Sequence, residues 1–556
     1  MKKYFLVFEL ILCSFSFGQT SKEFLEMGVK KNELLKFKEA IEDFNKAIEI
    51  DSNCIKALIS RGYAKSKLKD INGAIKDYNK ALEFSSNDAD IYFYRGNAKL
   101  ELGDMIGSKA DWVLAYNYRG LAFAESENFD LAIDEYNKAI QLDDKYVGSY
   151  VNSIDAKIAI NDLSGLILVC TKLIELDPNF KNAYYQRAIA KLEKGDNRGA
   201  IIDFTKVLEI SPDDENSYFN RGNAKFNLKK YSEALEDYSK VITLNPENAN
   251  AYFNRGNVYT ELNIKKDAID NYNKAHYLRA ESKMKIKDFI SAIKEFDLAI
   301  EKDPNNAISY KKRGQLKFDK KDFNGASNDF LSAIDHDPND ADNYYYLGKV
   351  LFSLNLIKGA IHDYSLAIQI NSKKSIFYMD RGIANNLIEN YDLALEDFNK
   401  YIEIDSLNSS AFFNRGKSKK YLKDYSGAIN DFNNAITLDS NFYDSYFQLG
   451  LLKTELKDYN SAIQEYNTAI KLNPKNEIEY IYHRGMTKSY LNDNVGALED
   501  FNKVIELSPY YSSSVYLLRG NLKYKNASLE EACSDWKKAS ELGDKTAKKL
   551  LKKLCR

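Results

Sequence analysis

One dipeptide sets the terms for any fold of this chain. Arg-Gly recurs in one phase at residues 61, 95, 119, 221, 255, 313, 381, 415, 484 and 519, and most of the gaps are 34 residues or a multiple of 34. Self-similarity at such a period marks a repeat architecture, in which each repeat is a small helical or stranded unit that cannot bury its apolar face alone. One repeat, 215–248, reads ENSYFNRGNAKFNLKKYSEALEDYSKVITLNPEN. With Gly222 as position 8, Ala234 stands at 20, Tyr238 at 24, Val241 at 27 and Pro246 at 32. In this frame sixteen repeats fit between residues 21 and 546.

Position 20 is Ala in fourteen repeats, with Ser108 and Leu166 as exceptions, and position 24 is aromatic in fifteen, with Cys170 as the exception. All seven prolines, 178, 212, 246, 304, 338, 474 and 509, fall at position 32. Proline inside a helix loses a hydrogen bond and clashes, at about 3 kcal/mol, so confining it to one phase leaves the rest of each repeat free to be helical. Positions 20, 24 and 27 are spaced as one helix face, and 4, 8 and 11 repeat that spacing earlier. Each repeat therefore reads as two antiparallel helices, A and B. Small residues at 8 and 20 permit close approach, and the ring at 24 fills the space between them.

Gly at 8, Ala at 20, an aromatic at 24, Ala at 27 and Pro at 32 resemble the tetratricopeptide repeat, here in an Arg-Gly variety. The resemblance covers nearly the whole chain after the leader. It implies an all-α fold, a right-handed superhelical solenoid of antiparallel helix pairs whose A helices line a concave surface that binds peptides or proteins. Two departures stand out: position 7 is Arg in twelve repeats, and position 11 is often Lys.

Position 23 is acidic in fourteen repeats, which offers Arg at 7 a partner: Arg61 with Asp77, Arg221 with Asp237, Arg519 with Asp535. A ladder of Arg–carboxylate pairs, tying helix A to helix B or to its neighbour, is the expectation; a track of arginines for an anionic ligand is the alternative. Repeat 147–180 lacks both members, with Ser153 and Val169, and carries Ile154, Leu166 and Cys170 at three signature positions.

Two gaps are 24 residues. At 115/116 and again at 275/276, position 27 runs straight into position 4, so the end of helix B, the turn and the start of helix A are missing. One continuous helix of about 20 residues is expected at each junction, where the regular stack must break; an irregular turn is the alternative. The expected blocks are 21–115, 116–275 and 276–546. A cap helix over 547–556, rich in Lys548, Lys549, Lys552 and Lys553, should solvate the last repeat.

Lys2 and Lys3 precede an apolar run, Tyr4 to Cys13, and small residues follow at Ser16 and Gly18. This pattern reads as a secretory signal over 1–18, and with the repeats it suggests a bacterial, exported protein, periplasmic or secreted. A membrane anchor left uncleaved is the alternative. In an oxidising compartment Cys533 and Cys555, both near the end of the array, could pair.

Residue patterns for catalysis are mostly missing from the sequence. Four histidines, 276, 336, 362 and 483, lack metal-ligand spacing, and no glycine loop suited to phosphate occurs. No enzyme, cofactor or metal is expected. With 79 basic against 81 acidic residues and a net charge of -2, nucleic acid is not expected as a partner, nor is a membrane span after the leader.

Position 5, which the resemblance places on the concave surface, is aromatic at Phe93, Tyr185, Phe219, Phe253, Tyr277, Tyr345, Phe413, Phe447 and Tyr482. Amides recur at position 9 in Asn97, Asn223, Asn257 and Asn521, and at position 6 in Asn152, Asn220, Asn254 and Asn414. Rings beside amides suit an extended peptide, since amides bond its backbone while rings cover its side chains; a glycan or cell-envelope carbohydrate would suit as well. A clamp for chain-terminal carboxylates, known in some relatives, needs Lys at 5 and Asn at 9. The one Lys at position 5, Lys311, is followed by Gln315, so that recognition is not expected. The leading expectation is a scaffold for protein or peptide partners, with the targeting part of an enzyme complex as the remoter alternative.

Overall fold

A computed structural model describes residues 20–555; the leader expected over 1–18 lies outside them. The described residues form 31 α-helices and one 3-10 turn, with no strand among them. Repeat 215–248 shows the plan. Helix A, Glu215–Asn227, and helix B, Tyr231–Leu244, are separated by three residues. The reversal is made by Lys229 at φ 60°, with Lys229 N–H donating to the Phe226 carbonyl and Lys230 N–H to the Lys225 carbonyl. This is a Schellman closure, which satisfies carbonyls that a helix end would otherwise leave unpaired. The residue at position 15 has positive φ in all sixteen repeats, from Leu35 to Ala527, and only Gly103 and Gly195 among them are glycine.

Helix B often starts from Asp at position 16, as where Asp70 and Asp424 accept from the N–H of Gly73 and Gly427. Helix B ends at Asn245, just before Pro246, and Asn248 then caps the next helix A by accepting from Ala251 N–H. Many of the helix ends are thus specified locally.

The core is one contact motif repeated. Gly222 lies so close to Tyr238 that an added Cβ would sit 2.9 Å from the ring, and Ala234 and Tyr238 are essentially inaccessible. Burying one such ring is worth roughly 1.5–3 kcal/mol. Repeat 147–180 reaches the same end by exchange. Ile154 occupies position 8 and Cys170 position 24, both fully buried in one cluster with Leu166 and Val169. Bulk has moved from helix B to helix A, a volume-conserving change that cores tolerate.

At the junctions, Met105–Glu125 and Lys265–Lys285 are single helices of 21 residues each. The first half of Met105–Glu125 packs on helix Ala89–Glu101 as a B helix, and its second half packs on Phe129–Leu142 as an A helix. The described chain divides into two compact units, Met1–Leu278 and Arg279–Arg556, each a solenoid of stacked antiparallel helix pairs. At the end of the second, Lys545–Leu554 lies on Trp536 and Ala539 through Ala547, Leu550 and Leu551. A disulfide joins Cys533 to Cys555, with Cα atoms 5.7 Å apart.

Candidate functional site

Two surfaces carry ordered polar chemistry. The first is the arginine ladder. Arg221 Nε and Nη2 donate to both oxygens of Asp237 at 3.0 and 2.7 Å, while Nη1 donates to Thr205 of the preceding repeat at 3.1 Å. Arg61 does the same with Asp77 and Asn45, and Arg519 with Asp535 and Asn502. The guanidinium therefore ties its own B helix to the previous one. Lys at position 11 supplies a second cation to the same carboxylate, as in Lys225–Asp237 at 2.8 Å and Lys65–Asp77 at 2.8 Å. The ring at position 4 lies beneath the guanidinium, with Tyr218 5.4 Å from Arg221. A planar fork suits two carboxylate oxygens at once, and with its donors engaged it offers little to an anionic ligand.

The ladder is uneven. Arg119, at the first junction, reaches Glu135 only at 3.7 Å; on the same helix the buried Asn117 accepts from Ser149 and Asn152 of the next A helix. In repeat 341–374 positions 7 and 11 are Leu347 and Leu351, so the buried Asp363 has neither cation. Burial pushes its carboxyl up to about 6, moderated by His362.

The second surface is the groove between consecutive A helices. It holds pockets lined by positions 9, 12 and 13 of one repeat and 6 and 9 of the next. One of about 290 Å³ is bounded by Asn223, Phe226, Asn227, Tyr238, Asn254 and Asn257. A second, of about 220 Å³, is lined by Lys349, Phe352, Ser353, Tyr364, Asp380 and Ile383. A third, of about 380 Å³, is bordered by Asn386, Leu387, Asn414, Lys417 and Tyr421 among others.

The rings of position 5 are not a free ribbon along this groove. Tyr185, Phe219, Phe253, Tyr345, Phe413 and Phe447 each lie against the position-24 ring of their own repeat, with centroids 5.3 to 6.0 Å apart. Tyr345 and Phe447 are buried outright. Phe93 sits under Arg119 at 5.5 Å, and Lys274 stands 5.6 Å over Tyr277. The amides are partly engaged too. Asn223 accepts from Tyr238 and from Asn254, and Asn257 accepts from Tyr272. Asn97 and Asn521 accept from the indoles of Trp112 and Trp536. Asn220 donates to Tyr185, and Asn414 to the Ser410 carbonyl. These bonds hold the position-9 carbonyls in place, and among the described residues the NH2 groups of Asn223 and Asn257 have no partner. Lys311 is committed to Asp340 at 2.5 Å.

Positions 12 and 13, which the resemblance also places on the concave surface, line the groove, although they carry no single residue type in the sequence. Among the described residues no group of three His, Cys, Asp or Glu could hold a metal ion, and no helix is long and apolar enough to cross a membrane.

A family model described as TPR repeat matches residues 62–103 and 222–263, and one described as Tetratricopeptide repeat matches 33–54, 182–214, 409–442 and 443–476. The chain carries tetratricopeptide repeats. Arrays of tetratricopeptide repeats are generally non-enzymatic scaffolds for protein–protein interaction, and the repeats matched here are of that type. No curated protein matches it. Among solved structures, a tetratricopeptide repeat protein from Parabacteroides merdae is similar at 21% identity over 45% of this chain and 99% of its own, with a TM-score of 0.35. A chain of the APC/C hetero-tetramer Cut9–Hcn1 is similar at 13% identity over 96% of each chain, with a TM-score of 0.35. YrrB, described as a TPR protein with an unusual peptide-binding site, is similar at 24% identity over 32% of this chain and 92% of its own, with a TM-score of 0.29.

Proposed function

We propose that this chain binds extended peptide segments of partner proteins along the groove between its A helices. The observation that carries the reading is the recurrence of pockets at one set of repeat positions, each with amide or charged groups beside a ring. Fixed polar groups spaced by a repeat can bond successive stretches of an extended backbone, and the rings between them cover side chains. The ladder arginines, already bonded to carboxylates, serve the scaffold and not the ligand.

The test is a selection of random-sequence peptides on the purified chain, repeated after filling the groove. Asn227→Trp and Ser353→Trp, both at exposed groove positions, should abolish binding of the selected peptides. Ile202→Trp, on an exposed B-helix position, should leave it intact. Loss of binding from the B-helix change alone would reject the groove.

We further propose export from the cytosol. The disulfide between Cys533 and Cys555 favours an oxidising compartment, consistent with the leader pattern. Thiol labelling in intact cells checks it: these two cysteines should resist the reagent until reductant is added.

A further inference from the structure

The pocket between repeats 341–374 and 375–408 differs in one respect from those with Asn at position 9. Where position 9 is Asn, its carbonyl accepts the hydroxyl or indole proton of the ring at 24. Here position 9 is Lys349, which has no acceptor to offer. The Tyr364 hydroxyl is consequently without a hydrogen-bond partner among the described residues, although its side chain is 1% exposed, and it lines the pocket. Across from it stands Asp380, at the position 6 that holds Asn in several repeats. One of its carboxylate oxygens accepts from the Tyr345 hydroxyl at 2.8 Å, and the other has no partner among the described residues. The Lys349 ammonium lies over the rings of Phe318, Tyr345 and Tyr346 at 5.3 to 5.8 Å and makes no ion pair among the described residues. One pocket thus holds an open acceptor, an open hydroxyl donor and an ammonium, with opposite charges in balance.

A cationic ligand would meet Lys349 and an anionic one Asp380. An apolar group would bury the hydroxyl and the carboxylate oxygen unpaired. What fits is a neutral group that donates and accepts over a short span, with a flat face for the walls of Phe352 and Tyr364. We infer that this pocket is a subsite for a primary carboxamide, the side chain of Asn or Gln in a bound peptide. Its N–H donates to Asp380, and its carbonyl accepts from Tyr364 or Lys349. The inference rests on the groove reading above and names the side chain the groove selects at this repeat.

The experiment uses the full chain and fluorescently labelled Gly/Ser peptides with N-methylated C-terminal amides, differing only in a central Gln, Glu, Lys or Leu. Anisotropy titrations should show the Gln peptide bound about ten-fold more tightly than the other three. Tyr364→Phe, which removes one oxygen and keeps the ring, should bring all four to a common affinity. Asp380→Ala should do the same, with hydrogen exchange across 341–387 verifying that the repeat still folds. Equal binding of the four peptides to the unaltered chain would overturn the subsite and leave the groove standing. A preference for Lys or Glu would overturn it in favour of a charge-selective pocket. Binding of none would reject the groove, and the subsite with it.

Discussion

Repeats 147–180 and 341–374 both lack arginine at position 7, and they differ in what became of its carboxylate. In the first, Ser153 replaces the arginine and the acid at 23 is gone as well, replaced by Val169 in an apolar cluster. In the second, Leu347 and Leu351 replace both cations while Asp363 stays, buried beside them. Losing a buried pair whole is nearly neutral when packing fills in, whereas losing one partner strands a charge in a poorly solvating place. The two repeats display both outcomes within one chain, against the complete set in 215–248.

The strongest way to break this comparison is to strand a charge in the complete repeat. Asp237→Ala leaves Arg221 and Lys225 without their carboxylate and should cost about 3 kcal/mol locally, read by hydrogen exchange in Glu215–Asn227 and Tyr231–Leu244. The double change Arg221→Met with Asp237→Val should recover much of it; strictly additive losses would show that no pair exists. Local exchange is the proper readout, because an array unfolds by neighbouring repeats and has no single midpoint.

Next in size is the exchanged core. Cys170→Tyr places a ring against Ile154 and should destabilise 147–180 by about 2–3 kcal/mol. Adding Ile154→Gly restores the Gly–ring arrangement of the other repeats and should return most of the loss. Failure to do so would mean that the exchange involves residues beyond this couple.

Asp363 sharpens the comparison through pH. Its folded carboxyl lies at about 6 against an ordinary 3.8, so the native state holds the proton more tightly than the unfolded one. Its favourable share is complete below pH 3.8 and fades as pH rises through about 6. Asp363→Asn should raise local stability at pH 7 by about 1–2 kcal/mol and flatten its slope between those values. An unchanged slope would place the titration elsewhere.

The smallest effect concerns the link between repeats. Thr205→Val removes the acceptor for Arg221 Nη1 and should cost about 0.5–1.5 kcal/mol. The loss should appear in both repeats that the arginine touches.

Much of the fold was legible because it depends on spacing. Proline phase, the Gly222–Ala234–Tyr238 set and the missing ten residues at each junction each fix a local conformation, and the helices follow them. Pairs such as Arg221 and Asp237 were legible for the same reason, since both members recur. The third bond of the paired arginines was not, because its acceptor at position 25 is Asn, Thr, Ser or Asp by turns, alike only as an acceptor. How far the position-5 rings pack on the ring at 24 of their own repeat was not legible in the spacing. Tyr345 and Phe447 turn toward the ring at 24 because that contact removes more apolar surface from water. The Lys349–Tyr364–Asp380 pocket joins two repeats, and a single-repeat frame does not bring those residues together.

The ladder has a mechanical consequence. Because most of these guanidiniums fasten two consecutive B helices, stretching the array would load side-chain bonds one repeat after another, like stitches along a seam. Arg119 is a dropped stitch, and there the backbone itself continues as Met105–Glu125. At that joint the tension passes through main-chain hydrogen bonds, so a weakened side-chain link is spanned by a continuous rod.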